Sequence, residues 1–177
     1  MPFDPLQLPK PIPNLDAIAD PRWYPATIES VPDGDTVVVT IDRGHDQISR
    51  RQSIRLRGID TAESNDSDPR LAKLGQLAKV MIQGWLPVGS TCFLVTYKTP
   101  KSKREEIEKF GRFQGDFVIC VCRNPYDDMQ LTDWLVTNHL AVRYHGQNKL
   151  RIVNDHLNNY HHHADRGSFS ILATSTP

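Results

Sequence analysis

The fold is decided by residues 54–63, which read Ile54-Arg55-Leu56-Arg57-Gly58-Ile59-Asp60-Thr61-Ala62-Glu63. Apolar and basic side chains alternate along the first half of this stretch, as in a β-strand with one buried face. Strict alternation would place Arg55 and Asp60 on opposite faces of the strand, so the two side chains can share a site only if the chain bends between them. Gly58 is the position at which a bend costs least, and we predict it there.

The charges of this stretch suit a metal-assisted attack on a phosphodiester. Asp60 and Glu63 supply two carboxylates, one for a cation that prefers oxygen ligands and one to handle the water. Arg55, just upstream, carries the planar guanidinium that matches a phosphate. The rest of the chain must then supply the groups that complete such a site.

Two further strands are predicted before this one and two after it. Runs rich in β-branched residues at 26–31 and 36–41 flank Asp33-Gly34-Asp35, and Asp-Gly between such runs predicts a hairpin. Asp33 is predicted to serve the turn. Asp35 begins the next strand, where a turn role and a metal-ligand role both remain open. The third strand is predicted at 52–59, and strands at 91–97 and 114–122 complete a set of five.

Two helices are predicted from their start signals. Asp68-Pro69 is typical of an N-cap and first helical residue, and this helix runs to about Trp85. Its apolar stripe is assigned to the core. The next helix is predicted to be capped by Asp127 or Asp128 and to end near Asn138.

A third helix is predicted from Lys149 to about Arg166, with an apolar stripe at Leu150, Val153, Leu157 and Tyr160. It contains His161-His162-His163 on successive faces, so these histidines cannot all reach one ion. We predict a polar helix end here, and whether any of them binds metal stays open. The elements together predict an α+β, mainly β fold: a five-stranded OB-type barrel with three helices.

The chain of 177 residues is long enough for one domain with a substantial core. Prolines at positions 2, 5, 9, 11, 13 and 21 predict an extended, proline-rich arm over residues 1–22. The folded domain is predicted over residues 23–170, with a C-terminal tail at 171–177.

Composition restricts the possible functions. Lys and Arg number 21, as do Asp and Glu, so a nucleic-acid role must rest on local clusters and not on net charge. Three cysteines without a CxxC pair favour neither a disulfide framework nor a zinc site. The first residues lack the features of a secretory signal, so an intracellular, cytoplasmic protein is expected unless a signal has been removed. No membrane association and no obligate protein partner are expected, and we predict a monomer.

Several motifs follow one another in a fixed order: Asp33-Gly34-Asp35-Thr36-Val37, the stretch from Arg55 to Glu63, Gly75-x-x-Ala78, Lys109-Phe110-Gly111-Arg112 and Ala164-x-x-Gly167-x-Phe169. In this order they resemble the staphylococcal nuclease (thermonuclease) family over about residues 23–170. Each motif alone is weak, whereas the ordered set with its charged positions complete is specific. The resemblance implies an OB-fold barrel and a Ca²⁺-dependent endonuclease that hydrolyses both DNA and RNA at the P–O5′ bond, leaving 3′-phosphate ends.

The resemblance also implies a role for each matching residue. Asp35 and Asp60 would give carboxylate oxygens to Ca²⁺, and Thr61 would add its backbone carbonyl. Glu63 would hold or deprotonate the attacking water. Arg55 and Arg112 would bind the scissile phosphate and offset its developing charge, and Lys109 and Tyr144 would contact the substrate.

The chain departs from the family at two positions: Ala62 replaces the usual proline, and Phe110 stands where a tyrosine is common. An alternative function is a catalytically silent barrel that binds nucleic acid or a peptide. Silent members of the family typically lose acidic or arginine positions, whereas this chain keeps all five, namely Asp35, Arg55, Asp60, Glu63 and Arg112. A plain single-strand binder would need a basic groove with stacking aromatics, which this composition disfavours.

Overall fold

A computed structural model describes residues 22–96, 113–120, 128–144 and 149–174 of the chain. The strands are β1 (Arg22–Asp33), β2 (Thr36–Asp42), β3 (Ile48–Leu56), β4 (Ile59–Asp60), β5 (Thr91–Thr96), β6 (Phe113–Cys120), β7 (Asp128–Gln130) and β8 (Val142–Arg143). The helices are α1 (Pro69–Trp85), α2 (Leu131–Thr137), α3 (Lys149–Asp165) and α4 (Ser170–Thr174).

Five strands form a closed, mixed β-barrel. Antiparallel pairing gives the order β3-β2-β1-β5-β6, and a parallel pairing between β3 and β6 closes the sheet on itself. The additional strand β7 pairs with β6, and β4 pairs with β8 in a separate two-stranded sheet. The predicted α+β, mainly β, OB-like barrel is confirmed. The short helix α4 was not predicted and lies mostly within the segment predicted as a tail.

The barrel interior is filled by alternate residues of the strands, and α1 covers it. Ile28, Val37, Ile54, Leu94 and Phe117 are fully buried in one apolar cluster. Helix α1 begins as predicted, because the Asp68 side chain accepts a hydrogen bond from the Arg70 N–H at 2.9 Å. Of the apolar stripe predicted for α1, four residues are buried and two are partly buried against the core: Leu71, Leu74, Ala78 and Ile82, and Met81 and Trp85. Ala78 and Ile82 join the barrel core together with Leu77, which was not part of the predicted stripe, and Leu71 and Leu74 form a second small cluster.

Helix α2 is capped from outside its own segment. The Asp116 carboxylate, on β6, accepts hydrogen bonds from the Phe117 N–H at 2.8 Å, from the Thr132 N–H at 3.2 Å and from the Thr132 hydroxyl. Burial raises the pKa of Asp116 to about 6. The predicted cap is wrong for Asp128, which lies in β7, and Asp127 lies outside the described residues. The N-cap position is Gln130, which makes no side-chain cap bond.

Helix α3 packs through a row of polar side chains, His156, Asn159 and His163, which we call the polar stripe of α3. The spacing i, i+3, i+7 places the three on one face. Asn159 donates to the Ala141 carbonyl at 3.4 Å, and His163 Nε2 lies 3.1 Å and 3.2 Å from the Asn138 and His139 carbonyls.

The predicted apolar stripe of α3 is wrong in part. Val153 is 38% exposed, and the Leu150 side chain lies outside the described residues. Leu157 and Tyr160 are only half-buried: Leu157 packs on the small cluster of Leu71 and Leu74, and Tyr160 stacks on Phe169. The error arises because the prediction relied on apolar residues, whereas the buried face of α3 consists largely of polar side chains, two of which form hydrogen bonds with backbone carbonyls. None of the helices among the described residues combines the length and the apolar composition of a membrane span.

Candidate active site

The predicted bend between Arg55 and Asp60 is present at Gly58. Strand β3 ends at Leu56, Gly58 adopts a φ of 70°, and the chain resumes as β4, which pairs with β8. A left-handed conformation of this kind favours glycine. The Tyr144 N–H donates to the Gly58 carbonyl at 2.9 Å and so holds the bend from β8. Arg55 Nη2 thereby lies 3.2 Å from Asp60 Oδ1.

Asp35 reaches the same guanidinium from the β1–β2 hairpin. Thr36 is the cross-strand partner of Arg55, and the Leu56 N–H donates to the Asp35 carbonyl at 2.8 Å. Arg55 Nη1 lies 2.5 Å from Asp35 Oδ2, and the Thr36 hydroxyl donates to Asp35 Oδ1 at 2.8 Å. Two carboxylates from separate turns therefore converge on one arginine, with the Asp35 side chain buried and the other two partly exposed.

Gly34 allows the hairpin turn to approach the turn after β4. A Cβ at Gly34 would lie 2.9 Å from Thr61 Oγ1 and 3.1 Å from the Ala78 Cβ. Thr61 is itself buried beneath the turn. The glycine that predicts the hairpin thus also permits the contact that brings Asp35 and Asp60 together.

Asp33, which was assigned only a turn role, joins the site by holding the Glu63 segment. Its Oδ1 accepts the Gly34 N–H at 2.8 Å and the Ser64 N–H at 3.3 Å. The Glu63 carboxyl shares a further hydrogen bond with it. Burial opposes ionisation of Asp33, but the hydrogen bonds from Glu63, Gly34 and Ser64 together hold its pKa below the usual value. When Glu63 is protonated, its O–H donates to Asp33 and the Asp33 carboxylate accepts.

The loop that carries Glu63 lies directly on the backbone of α1. A Cβ at Gly75 would lie 2.4 Å from the Ala62 carbonyl oxygen and 2.7 Å from the Glu63 carbonyl carbon. Ala62 is buried against Leu71 and Leu74, so this turn is packed in place without a proline at this position. The glycine of the Gly75-x-x-Ala78 motif is the residue that permits this contact.

Among the described residues, acidic side chains outnumber basic ones at the site. Asp33, Asp35, Asp60 and Glu63 interact with one another, and Arg55 is the cation that the structure shows in contact with two of them. The hydrogen bond to Asp33, burial and the charges of the neighbouring aspartates raise the pKa of Glu63 to about 7. Burial raises the pKa of Asp35, although Arg55 beside it opposes the shift. Hard carboxylate oxygens with surplus negative charge fit a divalent cation such as Ca²⁺.

His156 is a site residue that sequence reasoning missed. Its Nε2 lies 3.0 Å from Asp60 Oδ2, and the residue is only 3% exposed. The two residues are 96 positions apart, and His156 carries no motif of its own. His156 lies outside the apolar stripe predicted for this helix, so the local pattern gave no signal for its role.

The three consecutive histidines of α3 point to different surroundings. His161 packs edge-on against Tyr160, and the His162 ring lies 3.9 Å from that of His139. His163 is buried, and burial lowers its pKa. His162 and His163 line a cavity of about 330 Å³ beside Trp134 and Met81, away from Asp60.

The remaining predicted site residues are only partly located. Lys109 and Arg112 lie outside the described residues. Phe113, the residue after Arg112, pairs with Ile54 next to Arg55 in the parallel β3–β6 ladder. Tyr144 is half-buried, and its backbone lies against the Gly58 bend. Comparison of the chain with protein-family models and with curated proteins finds no match in either.

Proposed function

We propose that this chain is a Ca²⁺-dependent nuclease that hydrolyses phosphodiester bonds of DNA and RNA at the P–O5′ bond and leaves 3′-phosphate ends. The observation that carries the proposal is the convergence of Asp35 and Asp60 on Arg55, with Glu63 held close by. Two carboxylates contact this one guanidinium, and Asp33 and Glu63 lie beside them, so the described residues form an acidic cluster that favours uptake of further positive charge.

Asp35 and Asp60 would hold the cation together with the Thr61 carbonyl, as the resemblance implies. Among the described residues, no three His, Cys, Asp or Glu side chains are grouped to hold a metal ion, so water would supply the remaining ligands. When bound, Ca²⁺ supplies positive charge that offsets the charge of the phosphate oxygens in the transition state.

The side chains of the chain perform the proton transfer and the phosphate binding. Ionised Glu63 takes a proton from the attacking water as the water oxygen bonds to phosphorus and the bond to the 5′-oxygen breaks. The leaving 5′-oxygen takes up a proton from solvent. Arg55 donates to phosphate oxygens, and Arg112 is proposed to do the same from the chain segment just before β6. Such groups recognise phosphate and not bases, which agrees with cleavage of both DNA and RNA.

The test is to incubate the protein with plasmid DNA and with single-stranded RNA, in Ca²⁺ and in a chelator of Ca²⁺. We expect cleavage of both in Ca²⁺, none in chelator, and 3′-phosphate ends. Asp60→Ala should abolish cleavage and weaken Ca²⁺ binding. Asp42→Ala is the matched control, because Asp42 is an exposed aspartate whose carboxylate accepts the Gly44 N–H in a turn.

The other outcomes of this experiment are equally informative. If the incubation is repeated with Mg²⁺ in place of Ca²⁺ and cleavage occurs only in Mg²⁺, the metal assignment is wrong and the reaction class stands. If the protein binds nucleic acid equally well with chelator and does not cleave it, the nuclease proposal is wrong and the alternative, a catalytically silent binding barrel, is favoured.

A further inference from the structure

The Asp60 carboxylate is held from two sides by different parts of the fold. Oδ1 lies 3.2 Å from Arg55 on β3, and Oδ2 lies 3.0 Å from His156 Nε2 on α3. The His156 side chain is 4% exposed, whereas that of Asp60 is 29% exposed. The buried ring therefore lies behind the carboxylate, and substrate would approach Asp60 from the open side.

Among the described residues, the His156 ring has one hydrogen-bond partner, the Asp60 carboxylate. An ionised carboxylate only accepts, so His156 Nε2 carries the hydrogen and donates to Asp60. Nδ1 is buried, and no hydrogen-bond partner for it is found among the described residues. A buried ring nitrogen without a partner is unfavourable, and an apolar side chain would avoid it. The contact that accounts for a histidine at this position is therefore the one to Asp60.

We propose that His156 is a positioning residue that fixes the Asp60 carboxylate in the orientation needed to bind the cation. The inference rests on the proposed function, in which Asp60 is a metal ligand. Groups that orient a ligand through a hydrogen bond typically change metal affinity by 10–100-fold when they are removed. His156 acts through Asp60 and does not reach the substrate.

The same helix supplies a matched control. His163 lies two turns further along the polar stripe of α3, is 8% exposed, and also has a buried Nδ1 without a partner among the described residues. Its Nε2 lies near two backbone carbonyls, those of Asn138 and His139, and not near a carboxylate. Replacing His163 perturbs the docking of α3 in the same way and leaves Asp60 untouched.

The experiment measures Ca²⁺ affinity by calorimetry without nucleic acid, together with kcat and KM on DNA, in the full chain and its variants. His156→Leu should weaken Ca²⁺ binding about tenfold or more. His156→Gln, whose amide can still donate to Asp60, should recover most of the affinity. His163→Leu should bind Ca²⁺ as the unmodified chain does. If His156→Leu does not fold, His156→Asn, whose amide stops short of Asp60, replaces it.

Unchanged affinity in His156→Leu, or an equal loss in His163→Leu, would overturn the inference. If the unmodified chain neither binds Ca²⁺ nor cleaves nucleic acid, the proposed function fails and crystal structures of the variants decide the positioning role. An Asp60 side chain that turns away in His156→Leu and keeps its orientation in His156→Gln would support it. The same orientation in both variants would refute it.

Discussion

At the scale of single residues, the site depends on one guanidinium between two carboxylates. Arg55 contacts Asp35 and Asp60 through different nitrogens, which uses the planar fork of arginine and not only its charge. A lysine has one ammonium group and cannot reproduce two separate, fixed contacts. The two contacts therefore require an arginine at position 55.

Arg55→Lys should lower kcat by about 10²–10³-fold, the effect typical of losing one transition-state contact, while the protein stays folded. Steady-state kinetics on DNA and a thermal unfolding curve together measure this. Arg70→Lys is the control, because Arg70 pairs with Asp68 at 2.7 Å on the exposed start of α1. If Arg55→Lys turns over nearly as fast as the unmodified chain, Arg55 has no catalytic role.

Glu63→Gln should depress kcat by about 10²–10⁴-fold, the usual contribution of a positioned acid or base, with little change in substrate binding. The glutamine amide can still donate to Asp33, so the loop should keep its position. Binding of DNA measured in Ca²⁺, alongside kcat, separates the two effects. A parallel loss of binding and turnover would point to a structural role for Glu63.

At the scale of elements, local pattern located the five barrel strands and the first helix, but β3 spans Ile48–Leu56 where residues 52–59 were predicted, and β7 was not predicted. Period-two alternation and the Asp-Gly turn locate β1 and β2, and the bend at Gly58 follows from the demand that Arg55 and Asp60 share a site. Asp33 was given only a turn role, because its contact with Ser64 spans 31 positions and leaves no mark on the local pattern. His156 was missed for the same reason.

Replacing either of two glycines of α1 by alanine should change the stability of the protein in opposite directions, because only Gly75 contacts the Glu63 loop. Gly75→Ala should destabilise the protein by about 1–3 kcal/mol, because the new methyl group would overlap the Ala62 carbonyl and force the loop to move. Gly84→Ala should stabilise it by about 0.5–1 kcal/mol, since nothing lies within 4 Å of the added Cβ and alanine favours a helix. Urea unfolding measures both. Equal stability of the two variants would refute the tight contact.

At the scale of the whole molecule, the barrel class was predictable, whereas the docking of the helices around it was not. The apolar positions of α1 marked its core face, but α2 is capped by Asp116 from a distant strand and α3 docks through its polar stripe. Hydrogen bonds between elements far apart in sequence depend on the finished fold. A single sequence therefore predicts which segments are strands and helices better than it predicts how they are joined.

Asp116 should make stability depend on pH. Its pKa rises from 3.8 to about 6 on folding, so the folded state holds a proton that the unfolded chain releases, and stability falls as pH rises between these values. Asp116→Asn does not titrate. The stability of this variant relative to the unmodified chain should therefore increase by up to about 3 kcal/mol between pH 4 and pH 7. Urea unfolding at both pH values checks this, and an identical difference at the two would refute it.

The polar stripe of α3 also affects how the molecule opens locally. Because His156, Asn159 and His163 make up much of the buried face of this helix, its detachment would expose less nonpolar surface than detachment of a helix with an apolar buried face. Denaturant sensitivity scales with newly exposed surface, so native-state hydrogen exchange of α3 amides should respond weakly to urea, and that of the barrel strands strongly. Each such excursion would release Asp60 from His156 while the barrel stays intact, so loosening of this one helix would weaken the proposed Ca²⁺ binding before the barrel unfolds.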